Sequence, residues 1–386
     1  IGYEEESMIP LSVPCIEGNE WHYVKQCLDS GWVSTAGSFV DRFEDDFKRY
    51  TGARHAIACV NGTAALQVAL QVAGVVPGDE VLVPTLTFIA SVNAVRYLGA
   101  EPVFMDCDDY YNLDMEKTFD FIERECCCRN GETFNRRTGH RIAAIVPVHV
   151  FGNAARLDEL VACCREQGIK IVEDAAESLG TLYSDGRHTG TLGELGCFSF
   201  NGNKILTTGG GGMIVTDNAA YAQRARYLTT QAKDDELRYI HNDVGYNYRL
   251  TNLQAALGVA QLEQLPRYLD IKRANYEAYK TAFAEMAGLY LADVPPYAHN
   301  NCWMYALRID QNVYGRDKEQ IIQDLDQQKI QTRPVWTLNH LQRPYKACQT
   351  YKIERAVALH EQTINIPCSV NLSSADRGSV IKALAP

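Results

Sequence analysis

The chain has 386 residues, 46% hydrophobic and 22% charged, which is ample for a sizeable core and two or three domains. Asp and Glu outnumber Lys and Arg, 48 to 37, giving a net charge of −11. No block of basic residues occurs, so a nucleic-acid or anionic-membrane surface is excluded as the main function. No apolar run reaches the ~18 residues needed to span a bilayer. The first residues, Ile1-Gly2-Tyr3 and then three Glu, reverse the order of a signal peptide, and the missing initiator Met points to a trimmed start. Thirteen cysteines, among them Cys126-Cys127-Cys128 and Cys163-Cys164, show no C-x2-C pair and no metal-ligand spacing. Reduced thiols in a cytoplasmic protein without a metal are the expectation.

In chain order, 55–60 is a predicted strand, followed by a turn at Asn61-Gly62-Thr63 and a helix over 64–73. Strands follow at 80–83 and 102–105, with a helix over 91–98 between them. Further strands are expected at 142–148 and 170–172, flanking a helix over 157–167. Strand–helix alternation of this kind implies an α/β fold with a mostly parallel sheet, whose ligands bind at the carboxyl ends of the strands. Beyond the glycines at 209–212 the pattern changes. Thr251-Asn252-Leu253-Gln254 has the form of a capping box, opening a helix to about 262. Pro266 then starts a second helical stretch to about 286, and 293–296 reads as a linker. A strand at 302–309, a helix over 318–328 and a strand at 330–333 complete a small α+β domain. The predicted division is 1–266 for the large domain with its N-terminal segment and 267–386 for the small one.

Three features carry chemistry. Asn61-Gly62-Thr63 lies between a strand and a helix, where free amides form an anion site, although by itself the tripeptide reads first as an ordinary βα turn. Asp174 follows an apolar strand and faces the usual ligand crevice, unless it is only a helix cap. Lys204 follows another apolar run and precedes four consecutive glycines, whose entropic cost points to a close backbone approach. Neither a Walker loop nor a dinucleotide-binding glycine turn is present. Together, a phosphate cradle, a strand-end carboxylate and a lysine are what pyridoxal phosphate requires.

These residues sit in motifs that resemble the DegT/DnrJ/EryC1/StrS family of pyridoxal-phosphate-dependent nucleotide-sugar aminotransferases. The motifs include Gly31-Trp32-Val33-Ser34, Asn61-Gly62-Thr63-Ala64-Ala65-Leu66 and Pro84-Thr85-Leu86-Thr87-Phe88. They continue through Val148-His149-Val150-Phe151-Gly152 and Glu173-Asp174-Ala175-Ala176-Glu177-Ser178 to Ser199-Phe200-Asn201-Gly202-Asn203-Lys204. Gly245-Tyr246-Asn247-Tyr248-Arg249-Leu250 and Gln331-Thr332-Arg333-Pro334 complete the set. The resemblance implies the fold type I, aspartate-aminotransferase-like architecture and a homodimer with shared active sites. It implies Lys204 as the Schiff-base lysine and Asp174 as the partner of the pyridinium nitrogen. Phe88 corresponds to the aromatic on the ring face. Gly62, Thr63 and Ser199 correspond to phosphate contacts, and Asn247 to a phosphate ligand from the other subunit. Glu177 stands where Gln or His is common. Arg249, Arg333, Trp336 and His340 are candidate sugar-nucleotide contacts, with packing in the small domain or at the dimer interface as the alternative.

The motifs look most like a subgroup that moves the amino group of L-glutamate to C4 of a UDP-linked 2-acetamido-2,6-dideoxy-4-keto-hexose. Its products feed bacillosamine or legionaminic-acid routes to surface glycans. The alternative is another keto-sugar nucleotide, aminated at C3 or linked to GDP or dTDP. A dehydratase branch carries His in place of Lys204, a cysteine desulfurase needs an activated thiol that this chain does not display, and a regulatory domain would most naturally have lost Lys204 or Asp174.

Overall fold

In the computed structural model, residues 8–235 and 237–385 are described. The acidic start read as the reverse of a signal peptide lies outside them.

An eight-stranded sheet forms the body. Its spatial order is His55–Cys59, Gly212–Thr216, Leu195–Ser199, Lys170–Asp174, Ile142–Ile145, Glu80–Pro84, Glu101–Met105 and Thr350–Tyr351. Gly212–Thr216 runs antiparallel to both its neighbours, and every other adjacent pair is parallel. The strands are nearly continuous apolar runs buried on both faces, as a helix-covered parallel sheet requires. The strand expected over 142–148 ends earlier, at Ile145, because the chain turns at Pro147 toward Asp174.

Helices Glu20–Ser30, Ser38–Thr51, Met115–Glu125 and Ala219–Thr229 join those read from the sequence. The cysteine run belongs to a short hairpin, Cys126–Arg129 paired with Glu132–Asn135. Among the described residues no cysteine is paired, no His, Cys, Asp and Glu cluster could hold a metal ion, and no helix is long and apolar enough to cross a membrane.

The stretch after Thr251 differs from expectation in one respect. A single helix, Asn252–Ala284, runs straight through Pro266. The Thr251–Gln254 capping box opens it as predicted. Proline removes one amide and crowds the preceding turn. Packing at both ends outweighs that cost. Ala255, Val259 and Leu265 are buried in the large core, while Tyr276, Tyr279 and Phe283 join a second core. That second core lies against a four-stranded antiparallel sheet of Leu289–Leu291, Tyr305–Ile309, Thr363–Ile366 and Arg333–Pro334. The 266/267 division therefore falls within the helix, and Thr350–Tyr351 returns to the edge of the large sheet.

Candidate active site

The parallel strands end on one side of the sheet, and a cleft of about 680 Å³ opens there against the small sheet. Gly62, Thr63, Phe88, Asp174, Glu177, Ser199 and Lys204 line it, together with Arg333 and Trp336 from the C-terminal part. These nine come from positions up to 274 apart in sequence, so only the fold brings them together.

The anion cradle is built locally. Asn61 caps the helix Gly62–Val72, its Oδ1 accepting from the Ala64 amide at 2.8 Å. The next amides, on Gly62 and Thr63, belong to the first turn and have no intrahelical acceptor. A Cβ on Gly62 would come 2.8 Å from that of Ser199, so glycine lets the helix start sit against the strand end. The four glycines have a similar explanation. Gly209 and Gly211 have positive φ, and a Cβ on Gly212 would lie 2.7 Å from the Gly62 nitrogen. The close approach is to the backbone of the cradle itself.

Glu173 and Asp174 have different surroundings. Glu173 is fully buried. Burial pushes its carboxyl up, but His149 Nε2 at 2.9 Å and the amides of Gly190, Leu192 and Gly193 hold it below the ordinary value. It is a structural carboxylate with its acceptor sites used internally. Asp174 faces the cleft. Its Oδ2 accepts from Ser91 Oγ at 2.6 Å and its Oδ1 from the Ala176 amide at 3.0 Å. Ser91 comes from the helix Ile89–Tyr97, and nothing in the sequence marked it.

Lys204 reaches into the cleft with its side chain 13% exposed. Its Nζ lies 3.3 Å from Glu177 Oε1 and 4.0 Å from the centre of the Trp303 ring. Glu177 Oε2 accepts from the Phe151 amide at 2.8 Å. Burial raises the Glu177 carboxyl, and the Lys204 ammonium only partly offsets it. Phe151 has φ +57°, a strained value that the hydrogen bond to Glu177 helps to hold. Trp336 stacks on Phe151 at 5.1 Å and meets Phe88 edge-on at 6.3 Å, and Phe88 stays half-exposed at the mouth.

Three expected residues lie outside the cleft lining. His340 is tied to Thr85, Nδ1 to Oγ1 at 2.7 Å, and its burial lowers its basicity. Arg249 donates to Gln231 Oε1 and Asn247 Oδ1, at 3.2 and 3.3 Å. Asn247 is exposed and bridges Thr230. Trp303 is a cleft residue that the sequence gave no sign of. It lies within an apolar strand-like run and reads as core.

The model for the DegT/DnrJ/EryC1/StrS aminotransferase family matches residues 14–385. The chain belongs to this family. It is 39% identical to the GDP-perosamine synthase of Caulobacter vibrioides, over 97% of both chains. It is 35% identical to a Bacillus subtilis protein named as a pyridoxal phosphate-dependent aminotransferase, EpsN, over 97% of this chain and 95% of the other. The solved structure of DesI, determined in the presence of its TDP-sugar product, superposes with a TM-score of 0.87 at 28% identity, covering 99% of this chain and 93% of that one. The fold is the fold type I architecture expected from the sequence. The protein is a pyridoxal-phosphate-dependent nucleotide-sugar aminotransferase.

Proposed function

We propose that this enzyme moves the amino group of L-glutamate to C4 of a nucleotide-linked 4-keto-6-deoxyhexose, with Lys204 as the amine that holds the cofactor. The observation that carries this reading is the convergence of Lys204, Asp174 and the Gly62–Ser199 cradle on one cleft. The donor set fits pyridoxal phosphate. First-turn amides and the hydroxyls of Thr63 and Ser199 suit its phosphate, Asp174 its protonated ring nitrogen, Lys204 its aldehyde and Phe88 its ring face. Glu177 is the polar group beside Lys204 on the same wall. Bound there, the cofactor supplies an electron sink for charge that develops at the α-carbon of the amino acid. Asp174, oriented by Ser91 and the Ala176 amide, would be the carboxylate that pairs with that ring nitrogen. Lys204 Nζ takes the proton from the α-carbon of glutamate and redelivers it, and runs the same transfer in reverse toward the keto sugar.

Two nucleotides compete. The motifs 198–204, 207–212 and 229–235 resemble enzymes acting on UDP-linked 2-acetamido-2,6-dideoxy-4-keto-hexoses in bacillosamine or legionaminic-acid routes. Three relatives at 34–39% identity are named GDP-perosamine synthase, which favours a GDP-linked sugar. Arg333 and Trp336 at the cleft mouth are the proposed sugar-nucleotide contacts within this chain. A homodimer sharing its sites is supported by Asn247 and Arg249 lying outside their own cleft lining and by exposed Trp32, Leu237 and Val244. Unpaired thiols, most of them buried, fit a cytoplasmic setting.

The reading is tested by absorption. Purified enzyme with pyridoxal phosphate should show a visible band that glutamate converts to shorter wavelength. GDP-, UDP- and dTDP-linked 4-keto sugars, added one at a time, should restore it selectively. No visible band, with no cofactor fixed to Lys204 by borohydride, sinks the proposal.

The cradle makes a separate prediction. Gly62→Ala places a methyl against Ser199. Cofactor affinity should fall about tenfold, about one charge-assisted hydrogen bond, and the forced shift of the helix start should also lower stability by about 1–3 kcal/mol. Titration of the cofactor-free protein with pyridoxal phosphate measures this.

A further inference from the structure

We infer that Trp303 is a positioning residue for Lys204: its indole face and the Glu177 carboxylate form two walls that hold the lysine amine in place whenever it is not bonded to the cofactor. The inference rests on the assignment of Lys204 above and concerns what holds it between its tasks.

The Trp303 ring is 2% exposed and lies 4.0 Å from Lys204 Nζ, within the range of a cation–π contact. The ring cannot drift. Its Nε1–H donates to the Asn203 carbonyl at 2.8 Å, tying the indole to the residue next to Lys204. Its own carbonyl accepts from Lys272, a fully buried lysine of the long helix, at 2.7 Å. Its amide donates to Asn301 Oδ1 at 2.9 Å. Asn301 also binds the other wall, its Nδ2 donating to the carbonyls of Glu177 and Leu179 at 2.8 and 2.9 Å. One buried asparagine therefore sets the spacing of the two groups that flank the amine.

The arrangement has a chemical reason. A lysine freed from the cofactor is a long, flexible side chain that must take a proton at one carbon and deliver it at another. Each rotamer lost from the productive set slows both transfers. An electron-rich face on one side and a carboxylate on the other favour a single position.

The test compares Trp303→Leu with Trp303→Phe in the reconstituted enzyme and in the cofactor-free protein. Single-turnover conversion of the visible band by saturating glutamate should slow about tenfold in Trp303→Leu, the rate equivalent of a partly desolvated cation–π contact. The half-saturating glutamate concentration should stay within about twofold, since the indole acts on proton transfer and not on binding. Deuterium at the α-carbon of glutamate should slow the variant more than the parent. Trp303→Phe, which keeps a ring face, should recover most of the rate.

In the cofactor-free protein, reductive methylation with ¹³C-formaldehyde labels the lysines. The Lys204 methyl signal, assigned by its loss in Lys204→Ala, should lie upfield under the indole ring current. It should return to the ordinary position in Trp303→Leu and keep a reduced shift in Trp303→Phe. Parent-like turnover and an unshifted parent signal would overturn the inference. If Trp303→Leu fails to fold or to hold cofactor, Trp303→Phe decides alone, and a Lys204 methyl signal that keeps the full parent shift there counts against the proposal. Borohydride reduction separates the two levels. Cofactor fixed to another lysine removes the Lys204 assignment itself. Cofactor fixed to Lys204 with no effect of Trp303 removes only the positioning role.

Discussion

Lys204→Ala is expected to abolish amino transfer, with a loss of at least about 10⁴-fold, because one change removes both the cofactor's covalent anchor and the proton carrier. Turnover of glutamate with a keto-sugar nucleotide measures it, and activity within a hundredfold of the parent would exclude the lysine from the chemistry. The same variant has a second signature. Lys204 is the cation beside Glu177, and burial already raises the Glu177 carboxyl above its ordinary value of 4.5. The native state therefore holds that proton more tightly than the unfolded chain does. Its contribution to stability is present at low pH and is lost as pH rises through the interval above 4.5. Removing the ammonium raises the carboxyl further, so the loss should extend to higher pH in Lys204→Ala. Melting temperatures across pH 4–8 should diverge, with the variant falling further behind the parent as pH rises. Parallel curves would mean that the two groups do not interact in solution.

Asp174→Asn is expected to lower amino transfer by about three orders of magnitude while the protein still holds pyridoxal phosphate. The loss is on the scale of removing a preorganised charge from a site. The asparagine keeps the shape of the aspartate: its Oδ1 can still accept from the Ala176 amide, while its Nδ2 can only donate, so the Ser91 hydroxyl must turn to accept from it. What it lacks is the negative charge that favours a protonated ring nitrogen. The visible band should therefore form in the variant while its response to glutamate becomes slow. Asp174→Ala should be worse on both counts, because it also leaves the Ser91 hydroxyl without that partner. Parent-like turnover in Asp174→Asn would remove the electron-sink role.

Much of the site was legible because its parts lie at junctions that local pattern defines. Asn61-Gly62-Thr63, Asp174, Ser199 and Lys204 each follow an apolar strand, and a parallel sheet sends all such ends to one side. The strand–helix alternation and the Thr251–Gln254 capping box are likewise properties of a few consecutive residues, so residue order alone specifies them.

Packing decided the rest. Pro266 reads as a break, yet the helix continues through it because its two halves are anchored in two different cores. Glu173 and Asp174 are equivalent as neighbours in sequence. One is consumed by His149 and three backbone amides, and the other is oriented toward the cleft by Ser91, 83 positions away. His340, a candidate sugar-nucleotide contact with packing as its alternative, is tied to Thr85, 255 positions away. Trp303 looks like any core aromatic until the small sheet closes against the large one and sets its face beside Lys204. By itself the sequence determined the family, the cofactor, and which side chains stand at the strand ends. The tertiary structure decided which of them face one another, because contacts between distant segments depend on how whole elements pack and leave no periodic trace in the order of residues.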